Sequence, residues 1–176
     1  MMRVFIAVEP AEEMRNRLEE AGMALRSSNA RLTLPTAEQM HITLKFLGEV
    51  SESNIPKITA ALQKVKGAPF QLTAARVSTF SRRVIKAEVT DQGCCADLAE
   101  QIGTYLLPLG FPKETRPFSP HITLARIKED TPDLAEKTAT LRDREFGTCQ
   151  IEEILLKQST LTSKGSIYST LARVRL

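Results

Sequence analysis

The sequence predicts an α+β fold of two similar lobes, each an antiparallel sheet with helices on its outside, and a functional cleft between them. Three observations carry this expectation. Short β-rich runs alternate with helical runs, yet neither a GxGxxG nor a GKT loop marks a nucleotide-binding parallel sheet. The tetrapeptide His-Ile-Thr-Leu occurs twice, at His41 and at His121, and these are the only two histidines of the chain. Each copy opens a β-rich run that is followed by a helix-start signal, so each half of the chain repeats one plan. No linker composition separates the halves, and residues 1–176 are expected to form a single bilobal domain.

The elements follow in order. Arg3 to Val8, RVFIAV, reads as a buried strand that Pro10 ends. AEEMRNRLEEAGMALRSS has helical spacing, with Met14, Leu18, Met23 and Leu25 near one face. NARLTLPTAEQM reads as a short extended piece and a turn, and HITLKFL as a strand stopping at Gly48. SESNIPKITAALQKVKG carries a Ser cap candidate, Pro56 in the first turn and Gly67 past the end of a helix. Gln71 to Phe80 and Val84 to Thr90 are strand-like around an SRR turn. CCADLAEQIGTYLLPLG reads as a helix, FPKETRPFSP as a proline-rich loop and HITLARI as the second motif strand. TPDLAEKTATLRD begins as helices do, GTCQIEEILLKQST reads as a strand, and SIYSTLARVRL alternates as a closing strand.

Composition excludes several classes. Hydrophobic residues make up 42% and charged residues 26%, enough apolar material for a core in a soluble chain. The net charge of +3 is too small for a nucleic-acid coating protein but does not repel a phosphate-bearing substrate. Three cysteines without a spaced framework argue against a disulfide scaffold or a zinc site. The start of the chain resembles neither a signal nor a transit sequence, and no run approaches the ~20 apolar residues of a membrane span. A cytoplasmic monomer with no membrane partner is expected.

Given the first tetrapeptide, a chance match at the second histidine has odds of roughly one in 1,500, before strand enrichment of Ile and Thr is allowed for. A lone histidine in a strand is most often a satisfied polar or surface residue. Packing would preserve Ile42, Leu44, Ile122 and Leu124 more readily than the histidines. Side chains alternate along a strand, so His41 and Thr43 point one way and Ile42 and Leu44 the other, and the same holds for His121 and Thr123. Two open faces meeting across a cleft would bring together two groups that titrate near neutral pH and two hydroxyl donors. Two imidazoles without a third ligand make a poor metal site, so no metal or cofactor is expected. Paired acid–base chemistry remains. It suits in-line attack on a phosphodiester, a strained cyclic phosphate above all, with the threonines holding nonbridging oxygens.

With RVFIAVEP, HITLKFLGEV, RPFSPHITLARI and LLKQSTLTSKGSIYSTLARVRL, the chain resembles the 2H phosphoesterase superfamily, and within it the LigT-like RNA 2′,3′-cyclic phosphodiesterases, also called 2′-5′ RNA ligases. That resemblance implies metal-independent hydrolysis of RNA 2′,3′-cyclic phosphate ends to 2′-phosphates, with possible reversible 2′-5′ ligation. By the same analogy His41 protonates the leaving O3′ and His121 activates water, although the pseudo-symmetry also allows the reverse. The family pattern suggests that Phe46 and Arg126 help hold the nucleotide, yet simple alternation places both opposite the histidines unless the strands bulge. Lys45, Arg116, Arg82 and Arg83 are candidates for RNA phosphates or for plain solvated charge. Many relatives carry a tryptophan where Leu34 stands here, and Phe118 either stacks on a base in its place or braces the loop before His121. RNA ends or small cyclic nucleotides are the expected partners. The alternatives are another 2H reaction, on ADP-ribose cyclic phosphate or 2′,5′-oligoadenylate, and a non-catalytic nucleotide-binding module.

Overall fold

The computed structural model describes residues 1–163 and 165–176. Among these, the elements run β1 (Met2–Val8), α1 (Glu12–Ala24), β2 (Arg31–Thr33), β3 (Ile42–Val50), α2 (Ile55–Leu62), β4 (Phe70–Phe80) and β5 (Val84–Thr90). They continue through α3 (Cys94–Leu106), β6 (His121–Glu129), α4 (Pro132–Thr140), β7 (Glu145–Ile151), β8 (Glu153–Thr162) and β9 (Gly165–Arg175). The strands form two antiparallel sheets, one ordered β3-β1-β8-β9 and the other β2-β6-β5-β4-β7. The expected mixed fold of two antiparallel sheets with helices is the one observed.

The division between the sheets does not follow the midpoint of the chain. The first sheet joins β1 and β3 to the C-terminal hairpin β8–β9, and the second takes the middle of the chain together with β2. The reason lies in the apolar runs. Val4 to Val8 of β1 and Ile154 to Lys157 of β8 are buried without interruption, the signature of strands covered on both faces, and they pair at the centre of the first sheet.

Helices α2 and α3 pack on each other and reach the first sheet at β9 and β3. Helix α1 lies on the second sheet against β6 and β7, with α4 against β4. Thus α1 leaves the first sheet to cover the second, and α3 does the converse. The buried stripe of α1 is Met14, Leu18, Ala21 and Gly22, continued by Leu25, whereas Met23 turns outward and is 45% exposed. Gly22 lets this helix approach closely, because a Cβ there would lie 3.0 Å from the carbonyl oxygen of Leu124 in β6.

Other elements differ from expectation in detail. β3 continues through Gly48, whose φ of 72° accommodates an irregularity that leaves Leu47 without a direct partner on β1. Ser51 makes no side-chain cap, and a short 3-10 turn over Glu52–Asn54 leads into α2 instead. The segment read as one strand before the C-terminus is two, β7 and β8, separated at Glu152. A contiguous core unites both layers, with Ile6, Leu18, Ile42, Ile85, Ile122, Leu124 and Phe146 essentially inaccessible. Each such side chain contributes about 1.5–3 kcal/mol of transfer free energy.

Candidate active site

His121 is the first residue of β6, and His41 immediately precedes β3. Both imidazoles are held alike. Nδ1 of His41 lies 2.7 Å from the carbonyl oxygen of Gln39, and Nδ1 of His121 lies 2.9 Å from that of Ser119. A carbonyl can only accept, so Nδ1 carries the proton in each neutral ring and Nε2 is left with its lone pair. The segments before the rings are stiff for different local reasons. Gln39 closes a capping box with Thr36, accepting from the Thr36 N–H at 2.9 Å, and its side-chain amide donates to the Ser166 carbonyl on β9. Ser119 precedes Pro120, whose ring fixes its own φ and favours an extended Ser119.

Each motif strand then carries a bulge at the same place. On β3, Thr43 faces Ala7 and Lys45 faces Ile6, so Leu44 has no direct partner. On β6, Thr123 faces Lys86 and Ala125 faces Ile85, so Leu124 has none. One extra residue reverses the alternation. Phe46 therefore sits opposite Phe5, on the face of Thr43, and Arg126 sits opposite Val84, on the face of His121 and Thr123. Both are exposed, Phe46 by 62%. This corrects the expectation from simple alternation, and the two residues join the histidine faces.

His41 is set among rings and charges. Phe5 lies 4.8 Å away between ring centroids and Tyr168 lies 5.3 Å away edge-on, with Phe5 and Tyr168 5.1 Å apart. Beneath them Lys157, almost wholly buried on β8 opposite Phe5, donates to the Glu9 carboxylate. Burial pushes the His41 proton affinity down to about 4. The Gln39 carbonyl and Glu9 act against this, while Lys157 and then Arg126 act with it. The influence of Arg126 ties the two sheets together. It stands on β6 of the second sheet, β3 and β6 touch, and its charge reaches the imidazole on the first.

Thr43 and Thr123 are half-buried, and neither hydroxyl has a protein hydrogen-bond partner among the described residues. Lys45 departs from both sequence readings. It is 5% exposed, turned to the back of β3 by the bulge, and its Nζ donates to the Pro112 carbonyl at 2.7 Å with Glu114 at 3.5 Å. It anchors the loop that leads to His121 and does not share the face of Thr43. Phe118, in that same loop, packs half-buried against the core, as does Leu34. Arg116, Arg82 and Arg83 are exposed.

Phe5, Tyr168, Lys157 and Glu9 surround His41 although nothing in their local spacing marked them. Their role follows from the pairing of β1 with β8, a contact between the two ends of the chain. Among the described residues no three His, Cys, Asp or Glu side chains gather as a metal site would require. A cavity of about 500 Å³ lies to one side, lined by Arg76, Ser78, Glu88, Thr138 and Arg142 among others, without either histidine.

Comparison with known proteins agrees with this fold. The model of the LigT-like phosphoesterase family matches residues 8–90 and 92–168. An RNA 2′,3′-cyclic phosphodiesterase of Archaeoglobus fulgidus is 33% identical over 175 residues, covering 97% of this chain and 98% of its own. One of Thermotoga maritima is 34% identical, covering 97% and 93%. The crystal structure of a Thermus thermophilus protein superposes with a TM-score of 0.85 at 31% identity, covering 99% of this chain and 98% of that one.

Proposed function

Because the chain belongs to the LigT-like phosphoesterase family, we propose that it hydrolyses RNA 2′,3′-cyclic phosphate ends to 2′-phosphates by paired-histidine acid–base catalysis. The observation that carries the proposal is the matched pair of imidazoles. Each has Nδ1 tied to the carbonyl two residues earlier, each has an Nε2 with no hydrogen-bond partner among the described residues, and each has a threonine hydroxyl two residues on.

The step balances simply. Water attacks phosphorus opposite O3′ and gives a proton to one Nε2. The P–O3′ bond breaks, and the other imidazolium donates its proton to O3′, leaving a 2′-phosphomonoester and a 3′-hydroxyl. Thr43 and Thr123 donate to the nonbridging oxygens as their charge grows. Arg126 offsets phosphate charge, and Phe46, beside Phe5, offers a face to the base. Each acid or base supplies about 10²–10⁴ in rate. With a 5′-hydroxyl attacking in place of water, the same ring opening joins RNA ends through a 2′-5′ linkage, and the reverse of that step returns the cyclic phosphate and the free 5′-hydroxyl.

Family analogy makes His41 the acid and His121 the base. The reverse is favoured by one observation, the depressed proton affinity of His41, which leaves it neutral at pH 7 in the ligand-free protein. A cyclic substrate with sulfur as the 3′ leaving atom separates the two, since a thiolate departs without a proton. Rescue of His41→Ala assigns the acid to His41, and rescue of His121→Ala assigns it to His121.

The experiment for the function is incubation with RNA ending in a 2′,3′-cyclic phosphate, with EDTA present. A 2′-phosphate product is expected. Turnover of ADP-ribose cyclic phosphate or 2′,5′-oligoadenylate in its place would move the chain to another 2H reaction. Binding of AMP without turnover of any cyclic ester would make it a nucleotide-binding module.

A further inference from the structure

Building on the phosphodiesterase reading, we propose that Phe80 and Lys86, on the open face of the second sheet, form a subsite for the nucleotide preceding the reactive RNA end. The register places them. Lys86 faces Thr123 across β5 and β6, Val84 faces Arg126, and Phe80 faces Val84 across β4 and β5. Opposed residues point the same way, so Phe80, Lys86, Thr123 and Arg126 share the face that His121 opens. Phe80 lies two inter-strand spacings, about 10 Å, from Arg126, a natural continuation of a strand whose terminal phosphate sits at the threonines.

The chemistry of this face suits a nucleotide and little else. Phe80 is 59% exposed, an aromatic face on a sheet whose other side is fully buried at Ile85 and Ala87. The Lys86 ammonium stands 5.6 Å from the ring centroid, so a base stacked on Phe80 brings its phosphate within reach of a cation. Neither Lys86 nor Arg126 enters an ion pair among the described residues, whereas Glu88, on this face opposite His121, is paired with Arg76 at 3.3 Å. The hairpin tip beyond Phe80 adds two exposed arginines, Arg82 and Arg83. Ser81 and Arg82 hold left-handed backbone, with φ of 49° and 54°, in a turn that glycine or asparagine would occupy without strain. A single-stranded RNA fits this row of aromatic ring and uncompensated cations, which an apolar protein partner does not.

The test compares kcat/KM on a nucleoside 2′,3′-cyclic phosphate with that on a trinucleotide ending in the same group. In the wild-type protein the trinucleotide is expected to be the better substrate. Phe80→Ala should lower the trinucleotide-to-mononucleotide ratio about tenfold, chiefly through KM, Lys86→Ala should lower it in the same direction, and Phe80→Tyr should retain it. An unchanged ratio in Phe80→Ala overturns the subsite while leaving the phosphodiesterase reading intact. If the wild-type protein turns over neither substrate, that reading falls on its own. The subsite is then judged by binding of a trinucleotide 2′-phosphate against a nucleoside 2′-phosphate, and equal weakening of both by Phe80→Ala overturns it.

Discussion

A histidine packed against two aromatic rings has a proton affinity set by its neighbours. His41 titrates at about 4 in the folded protein, against 6.5 for an ordinary imidazole. The unfolded chain therefore takes up the proton first as pH falls. Stability from this group is fully present above pH 6.5 and is lost as pH drops towards 4, amounting to about 3 kcal/mol. Denaturant titrations of wild type and His41→Gln at pH 7 and pH 4 check this, and the variant should lose that much less. Lys157→Met should raise the His41 proton affinity, because Glu9 would remain without its cation. The limb of the pH–rate profile that His41 sets, the acidic one if it is the base and the basic one if it is the acid, would then move to higher pH, and the added change Glu9→Gln should return it. The histidines and threonines were legible in the sequence because one tetrapeptide used both histidines of the chain. Phe5, Tyr168, Lys157 and Glu9 were not, since strand pairing between the chain ends brings them to the ring.

At the scale of elements, the two bulges decide which residues share the faces of the histidines and threonines. Period-two alternation, read literally, sends Phe46 and Arg126 into the wrong layer. The doublets Leu44-Lys45 and Leu124-Ala125, all buried, reverse the count. No residue in either doublet announces a bulge, so this part of the site was illegible although the strands themselves were plain. Helix α1 supports the second bulge through Gly22, which meets the Leu124 carbonyl. Gly22→Ala should therefore lower the melting temperature instead of giving the gain of about 1 kcal/mol that helix propensity alone would bring. Gly22→Val should destabilise by about 1–3 kcal/mol and lower turnover by shifting Thr123 and Arg126. Thermal melts and kcat of the two variants test both points. An increase in stability with either variant would mean that the helix does not brace the strand.

At the scale of the whole molecule, the plan of two similar layers was visible in the repeated strand-then-helix order, but their boundaries were not. Continuous apolar runs at both ends of the chain select each other for the centre of one sheet, and local signals do not reveal long-range pairing. The consequence is functional. His41 and Thr43 stand on one sheet, His121 and Thr123 on the other, and the account requires both to act on a single phosphorus. Turnover of a 2′,3′-cyclic nucleotide by His41→Ala, His121→Ala and the double variant, with EDTA present, measures this most directly. Each single change should cost at least about 100-fold in kcat, and the double variant little more than the worse single one, as groups serving one step do. Near wild-type turnover in either single variant, or losses that simply multiply in the double, would contradict the account.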